Sequence, residues 1–170
     1  MDRFYAIVSK VCAWTLFVMT ILGALNAVLR YSSKFTGQVW SSNAFLEGQW
    51  YLFSAVFLLG AGYTLHKDKH VRVDVLYSRL NNTGQRRINL LGIVLFAIPF
   101  CLLGIWSSIE FVANSWSILE QSPDAGGLPR YPVKTLIPLG FVLLLLQCSV
   151  WLRTLLLEEN IDNDYGGLDD

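Results

Sequence analysis

Charged residues are scarce in this chain. Asp, Glu, Lys and Arg make up 15% of its 170 residues, whereas 54% are hydrophobic; soluble domains average about 25% charged residues. The 13 basic and 13 acidic side chains cancel, so no excess positive charge is available to neutralise phosphates, and we expect no nucleic-acid partner. The apolar content excludes intrinsic disorder, and the length suits one domain. A membrane protein is the class that the composition favours.

Cysteine and chemical motifs are scarce as well. Cys12, Cys101 and Cys148 are far apart in apolar stretches, no C-x-x-C is present, and His66 and His70 form no ligand cluster with them. A disulfide framework or a metal site is therefore not expected, and the cysteines are interpreted as small buried apolar residues. No nucleophile motif, phosphate loop or carboxylate pair is present either. We expect no catalytic residue, no metal and no cofactor on this chain, and hence not an enzyme.

Four stretches contain no Asp, Glu, Lys or Arg, and each is about one bilayer long. A helix needs about 20 apolar residues to cross a hydrocarbon core of about 30 Å, and the period-two alternation of a membrane β-barrel is missing. The stretches predict an all-α integral membrane protein with four transmembrane helices, at residues 11–29, 48–66, 88–109 and 135–152. These helices form a transmembrane domain over residues 1–157. Residues 158–170, with six acids and no base, form an acidic cytoplasmic tail.

The distribution of basic residues predicts the orientation. With four spans, both termini and the connection between spans two and three share one side of the membrane, and that side has nine Lys and Arg residues. The other side has four: Arg30, Lys34, Arg130 and Lys134. Because basic residues are enriched in short cytoplasmic loops, both termini are predicted to be cytoplasmic.

The connection 67–87 predicts a cytoplasmic amphipathic segment. On a helix, one apolar face would consist of Val73, Leu76, Tyr77 and Leu80. A basic stripe with a spacing of seven would consist of Arg72, Arg79 and Arg86. Such a helix lies in the headgroup layer with its stripe against anionic lipids. The alternatives are a short strand or an ordinary solvated basic loop.

The two connections on the other side contain structural signals. Asn43 is predicted to cap span two, with Glu47 in its first turn and reaching water. Trp50 and Tyr51 are typical of an interface belt. The Pro- and Gly-rich segment 122–134 predicts a structured turn and not a helix, which either docks a partner or simply covers helix ends.

Inside the four stretches the only ionisable side chain outside the cysteines and tyrosines is His66, so no ion path is indicated. Buried polar candidates for helix–helix hydrogen bonds are Asn26, Ser54 and Gln147. Close helix packing is weakly indicated by the pairs Gly23/Ala27, Gly60/Thr64 and Gly104/Ser108. Pro99 should kink span three. These features favour a small four-span subunit that packs against something larger.

Several local motifs in the sequence resemble those of a known family. They are Asn26 with Arg30-Tyr31, Trp40-Ser41 with Glu47, Leu52-Phe53, Leu59-Gly60-Ala61 and His70-Val71-x-x-Asp74. Over nearly the whole chain they resemble the small membrane (Q) subunit of the tripartite ATP-independent periplasmic (TRAP) transporters. That family usually has two consecutive acids after Trp-Ser; here the region reads Leu46-Glu47, so only Glu47 can be carried over.

The resemblance implies an accessory subunit in the bacterial inner membrane. In such systems a periplasmic substrate-binding protein captures an organic acid, usually a carboxylate, and a large (M) membrane subunit carries the substrate and sodium sites. The small subunit packs against the large one as a scaffold and helps to receive the binding protein. Expected partners are therefore the large subunit, the binding protein and membrane lipids. The alternative is a stand-alone four-span channel or a membrane assembly factor.

Site residues follow from the resemblance as hypotheses. Arg30 and Lys34 are expected to dock the binding protein, with Asp124 and Arg130 as second candidates; for Arg30 the alternative is anchoring at the interface. His70 and Asp74 are four residues apart and could pair on one helix face. They either fix the cytoplasmic segment against the membrane or the large subunit, or have a purely capping or solvated role. The residues expected to pack against the large subunit or the membrane are Asn26, Glu47, Trp50, Gly60, Ala61, His70 and Asp74.

Overall fold

The computed structural model describes residues 2–37, 42–67, 77 and 79–166. Every regular element in this part is helical. The elements are α1 (Asp2–Thr36), α2 (Asn43–His66), α3 (Asn82–Gly92), a π-helical turn (Ile93–Ala97), α4 (Ile98–Ser117), α5 (Tyr131–Lys134) and α6 (Leu136–Gly166).

Four helices are long and apolar enough to cross a membrane. Span one is Arg3–Thr36, span two Asn43–His66, span three Thr83–Ser117 and span four Tyr131–Leu157. The predicted all-α architecture with four transmembrane helices is thereby confirmed. The helices are longer than the charge-free stretches because they continue through flanking charged residues into the layers on either side of the hydrocarbon core.

The predicted amphipathic segment between spans two and three lies largely outside the described residues. Its last part is helical: Asn81 caps α3 by accepting a hydrogen bond from the Gly84 N–H at 2.9 Å, and α3 runs directly into span three. Arg86, predicted to face lipid, instead points at span four, where its Nε donates to the Leu155 carbonyl at 3.1 Å. The prediction that Arg86 faces lipid is therefore wrong, because its side chain donates to a carbonyl of span four instead.

Span three changes its winding one turn before Pro99. The Ile98 N–H donates to the Ile93 carbonyl, five residues back, through the π-helical turn Ile93–Ala97. Proline has no N–H and its ring crowds the preceding turn, so a carbonyl there loses its usual donor. A wider turn is a common way for a helix to absorb this disruption.

The spans pack in the order one, two, four, three. Extensive contacts join span one to two, two to four, and four to three. Gly140 lets span four approach span two, since an added Cβ would lie 2.9 Å from the Leu58 Cβ and 3.1 Å from the Leu58 carbonyl oxygen. At Gly104, an added Cβ would meet the Phe141 ring at 2.6 Å. Spans one and three are therefore the outer helices of a row.

The buried core is small and centred on span four. Ile93, Cys148 and Leu155 form it, with Leu65 and Trp151 packed against it. Many large apolar side chains on all four spans are exposed, which is expected where lipid or another membrane protein covers them. The backbone of α6 continues as a helix to Gly166, into the segment predicted as the acidic tail.

Candidate functional site

The hairpin end is our name for the end of the row where residues 37–42 join spans one and two and residues 118–130 join spans three and four. There the 118–130 loop folds over the start of span two. The Asn43 Nδ2 donates to the Ala125 carbonyl at 3.0 Å. The Tyr51 hydroxyl is within hydrogen-bonding distance of two carbonyl oxygens, of Leu128 at 3.2 Å and of Pro129 at 3.1 Å.

Glu47 lies between these two contacts and is the centre of the arrangement. Asn43, Glu47 and Tyr51 have a spacing of four, which places them on one face of α2. The Glu47 carboxylate accepts hydrogen bonds from the Ser122 hydroxyl and the Leu128 N–H. Glu47 is only 2% exposed because the loop covers it. The prediction that Glu47 reaches water is therefore wrong.

Gly127 permits this cover. A Cβ at this position would lie 2.7 Å from the Glu47 Oε2 and 2.5 Å from the Ser122 side chain. Such distances leave no room for a side chain, and neither neighbour can move without losing its hydrogen bond. The two adjacent glycines of the segment 122–130 therefore have different uses, because Gly126 supplies a positive φ of 72°.

Span two begins with Ser42, not with the predicted Asn43, as its N-cap. The Ser42 Oγ accepts a hydrogen bond from the Ala44 N–H at 3.2 Å and contacts the Gly126 carbonyl at 3.3 Å. Both residue types are good N-caps. Asn43 is drawn away from that role by its contact with the loop.

A second polar group joins the ends of spans three and four. Glu120 forms an ion pair with Lys134 and accepts a hydrogen bond from the Ser115 hydroxyl at 2.6 Å. The hydrogen bonds from Lys134 and then from Ser115 lower the pKa of the Glu120 carboxyl from its ordinary value. The Lys134 ammonium also lies 4.1 Å from the centre of the Phe111 ring.

The two second-rank docking candidates are in different environments. Asp124 is exposed at the tip of the loop, where its N–H donates to the Ser122 hydroxyl at 3.1 Å. Arg130 is half-buried, and its guanidinium lies 6.0 Å from the centre of the Trp50 ring. The Arg130 Nε is buried and has no hydrogen-bond partner among the described residues.

Arg30 and Lys34 lie on a part of α1 that projects beyond span two. Gly23 of α1 faces Gln49 of α2, and the two helices run antiparallel. Asn43, six residues before Gln49, therefore lies level with Leu29, six residues after Gly23. Residues 30–36 therefore extend past the start of span two by about 10 Å at 1.5 Å per residue. Both basic side chains are exposed, four residues apart, and neither forms an ion pair with another described residue.

The predicted packing residues are spread along the first two spans. Asn26 is 9% exposed, and its Oδ1 has no partner within the described part of the chain. Gly60 faces open space, whereas an added Cβ on Gly62 would lie 3.4 Å from the Leu143 carbonyl oxygen. Trp50 is exposed and Ala61 half-buried. His70 and Asp74 lie outside the described residues.

The sequence did not single out Gly62, Ser122 or Gly127. Gly62 lies two residues from the predicted Gly60. A short Gly-x-x-x pattern does not show which side of a helix faces its neighbour, so it could not distinguish the two glycines. The only signal for the pair Ser122 and Gly127 was the density of Pro and Gly in that segment. In the residues described here, no three His, Cys, Asp or Glu side chains come together as a metal site would require.

Helix lengths, apolar exposure and a small polar structure at one end define the class: a multi-pass membrane protein. A family profile described as the DctQ component of tripartite ATP-independent periplasmic transporters matches residues 19–157. The chain therefore belongs to this family, the small membrane component of TRAP transporters, as the sequence resemblance predicted. The family is a transporter component family and not an enzyme family. A search of curated proteins found no match.

Proposed function

We propose that this chain is the accessory membrane subunit of a sodium-coupled, binding-protein-dependent uptake system for organic acids, of the carboxylate class, in a bacterial inner membrane. It packs against the large permease subunit as a scaffold and helps to dock the periplasmic binding protein. Membership of the TRAP family supports the type of system. The scarcity of ionisable side chains inside the spans supports an accessory role, since ion and substrate paths usually need them.

The hairpin end faces the periplasm and both termini face the cytoplasm. The nine Lys and Arg residues on the terminal side against four on the hairpin side support this orientation. Cofactors and metals are not held by this chain, and sodium binds on the large subunit. The chain itself catalyses no reaction.

Docking of the binding protein is assigned first to Arg30 and Lys34. The main support is their position on the projecting end of α1. Two exposed like charges four residues apart give a local positive potential that attracts an acidic surface and speeds its association. Asp124, exposed at the tip of the neighbouring loop, is a second contact. Arg130 acts less directly, because it is packed against Trp50.

Contact with the large subunit is assigned to the exposed side of the first two spans. Gly60 supports this, because a glycine with open space before it lets another helix approach closely. Trp50 and the half-buried Ala61 are the further candidates on this side, whereas Asn26 is buried and is assigned to packing inside the membrane. Glu47 acts by holding the loop, and His70 and Asp74 are assigned to fixing the cytoplasmic segment.

The docking role is tested by Arg30→Glu in the complete complex of this chain and its large subunit, reconstituted in vesicles with the binding protein. We expect uptake of radiolabelled carboxylates to fall, with co-purification of the two membrane subunits unchanged. Lys10→Glu is the matched control, an exposed basic residue on the same helix near the other end. Unchanged uptake in Arg30→Glu would refute docking by this end.

A further inference from the structure

The projecting end of α1 also carries an aromatic pair. Tyr31 is 67% exposed and Phe35 is 72% exposed. Their ring centroids are 5.1 Å apart at an interplanar angle of 65°, an edge-to-face arrangement in which each ring supports the other. The pair adjoins Arg30 and Lys34, so an apolar surface and a basic surface share these two helical turns.

The depth of Phe35 separates this residue from the aromatic belt. Trp50 and Tyr51, beside the base of the loop, mark the interface level on span two. On α1 itself the charge-free stretch ends at Leu29, and Phe35 lies six residues, or about 9 Å of helical rise, beyond that residue. The headgroup layer adds only about 5 to 7 Å on each side of the hydrocarbon core. Lipid headgroups therefore do not account for Phe35.

An exposed aromatic pair beside basic residues has the composition of a binding hot spot. Aromatic and Arg side chains carry much of the energy of protein interfaces, and surrounding polar contacts mainly exclude water. Exposed apolar surface above a membrane costs free energy in water unless a partner covers it.

We propose that Tyr31 and Phe35 are the apolar anchor by which this chain holds the soluble binding protein, received by an apolar pocket with an acidic rim. The inference rests on the proposed docking function and adds the chemistry of the partner surface. Complementarity to Arg30 and Lys34 requires the acidic rim, and the two rings require the apolar pocket.

The two parts of this surface have separable kinetic effects. Basic residues at the rim accelerate association, and added salt weakens that effect. Buried aromatic anchors mainly slow dissociation, and salt has little influence on them. A change in the aromatic pair should therefore appear in the dissociation rate, and a change in the basic pair in the association rate.

The test measures binding kinetics of the binding protein on the complete two-subunit membrane complex held in nanodiscs. Tyr31→Ala combined with Phe35→Ala should raise the dissociation rate by about tenfold or more, with the association rate changed little. Tyr31→Phe should retain wild-type kinetics, because it keeps the ring.

The matched control is the other exposed edge-to-face pair of α1. Trp14 and Phe17 are 69% and 57% exposed, with ring centroids 5.9 Å apart, but they lie within the charge-free stretch. Trp14→Ala with Phe17→Ala should leave the dissociation rate unchanged.

The outcomes distinguish this inference from the docking function itself. If the Tyr31 and Phe35 double variant dissociates at the wild-type rate while Arg30→Glu slows association, the anchor is refuted and docking stands. If neither variant alters binding, both are refuted. Loss of co-purification with the large subunit in the double variant would also overturn the anchor, because the pair would then belong to the interface between the membrane subunits.

Discussion

At the scale of single residues, Glu47 joins span two to the loop between spans three and four. One carboxylate receives a hydroxyl hydrogen bond and a backbone N–H from a loop 75 to 81 residues away in sequence. Hydrogen bonds to a charged acceptor are stronger than neutral ones, and the groups left without it would be buried and unsatisfied. The loop's conformation therefore depends on this side chain.

Removal of the Glu47 carboxylate should loosen the loop. In Glu47→Ala, the amide of Leu128 loses its acceptor, and we expect the amides of residues 122–130 to exchange hydrogen for deuterium about tenfold faster or more. Glu47→Gln should have an intermediate effect, because its amide can still pair with both partners without the charge. Glu110→Ala is the control, at an exposed acid on span three. Equal exchange in all variants would contradict this role for Glu47.

The Glu120 ion pair should make stability depend on pH. Lys134 and Ser115 lower the pKa of Glu120 in the folded protein, so the ionised form stabilises the fold above the unfolded-state pKa of about 4.3. That contribution is lost as the pH falls through the lower folded-state pKa.

The measurement is the thermal midpoint in detergent from pH 7 to pH 3. Wild type should exceed Glu120→Gln at pH 7, and the difference should shrink only below about pH 4.3. A difference that stays constant down to pH 3 would show that the pair contributes nothing through its charge.

For single residues, the sequence predicted which positions are structurally important better than it predicted the surroundings of their side chains. It identified Glu47 and Asn43 as notable, but it predicted Glu47 in water and Asn43 as the cap. Both errors have one physical cause. The loop that buries Glu47 and engages Asn43 comes from the other half of the chain, and no local pattern reveals a contact at that separation.

At the scale of elements, glycines set how closely the spans approach. Gly140 faces the Leu58 backbone, where an added Cβ would be too close. The charge-free stretches were enough to predict the four helices, because charged side chains are costly in the hydrocarbon core of a bilayer. It could not determine the helix ends, where charged residues continue the helix, or which glycines face a neighbour.

Gly140→Ala should therefore destabilise the protein despite the better helix propensity of alanine. Overpacking against a backbone typically costs about 1–3 kcal/mol, so the thermal midpoint in detergent should fall by several degrees. Gly92→Ala is the control, since an added Cβ there meets nothing within 4 Å. It should be neutral or slightly stabilising. A similar change in both variants would refute close packing at Gly140.

At the scale of the whole molecule, the order of the spans leaves both outer helices with an uncovered flank. Span one contacts span two, and span three contacts span four. A closed bundle would bury more of its own surface, so this arrangement suits a subunit whose remaining faces are covered by lipid and a larger partner. The sequence predicted the number of spans but not their order, because all four have similarly apolar surfaces.

The native cysteines test this order directly. Cys101 on span three and Cys148 on span four are fully buried and lie close enough for their thiols to interact, whereas Cys12 lies on span one. A short, membrane-permeable reagent that joins two thiols should link Cys101 to Cys148 and leave Cys12 unlinked, as read by mass spectrometry. Cys148→Ser should abolish the link. A link from Cys12 to either of the other cysteines would contradict the order.

We propose that the chain serves a larger transporter without transporting by itself. The most direct measurement is sodium-driven uptake of radiolabelled carboxylates into vesicles that contain this chain alone, the large subunit alone, or both, with the binding protein outside. We predict no uptake by the chain alone, and full uptake only when both membrane subunits and the binding protein are present. Uptake or ion conduction by the chain alone, or full uptake without it, would contradict the account.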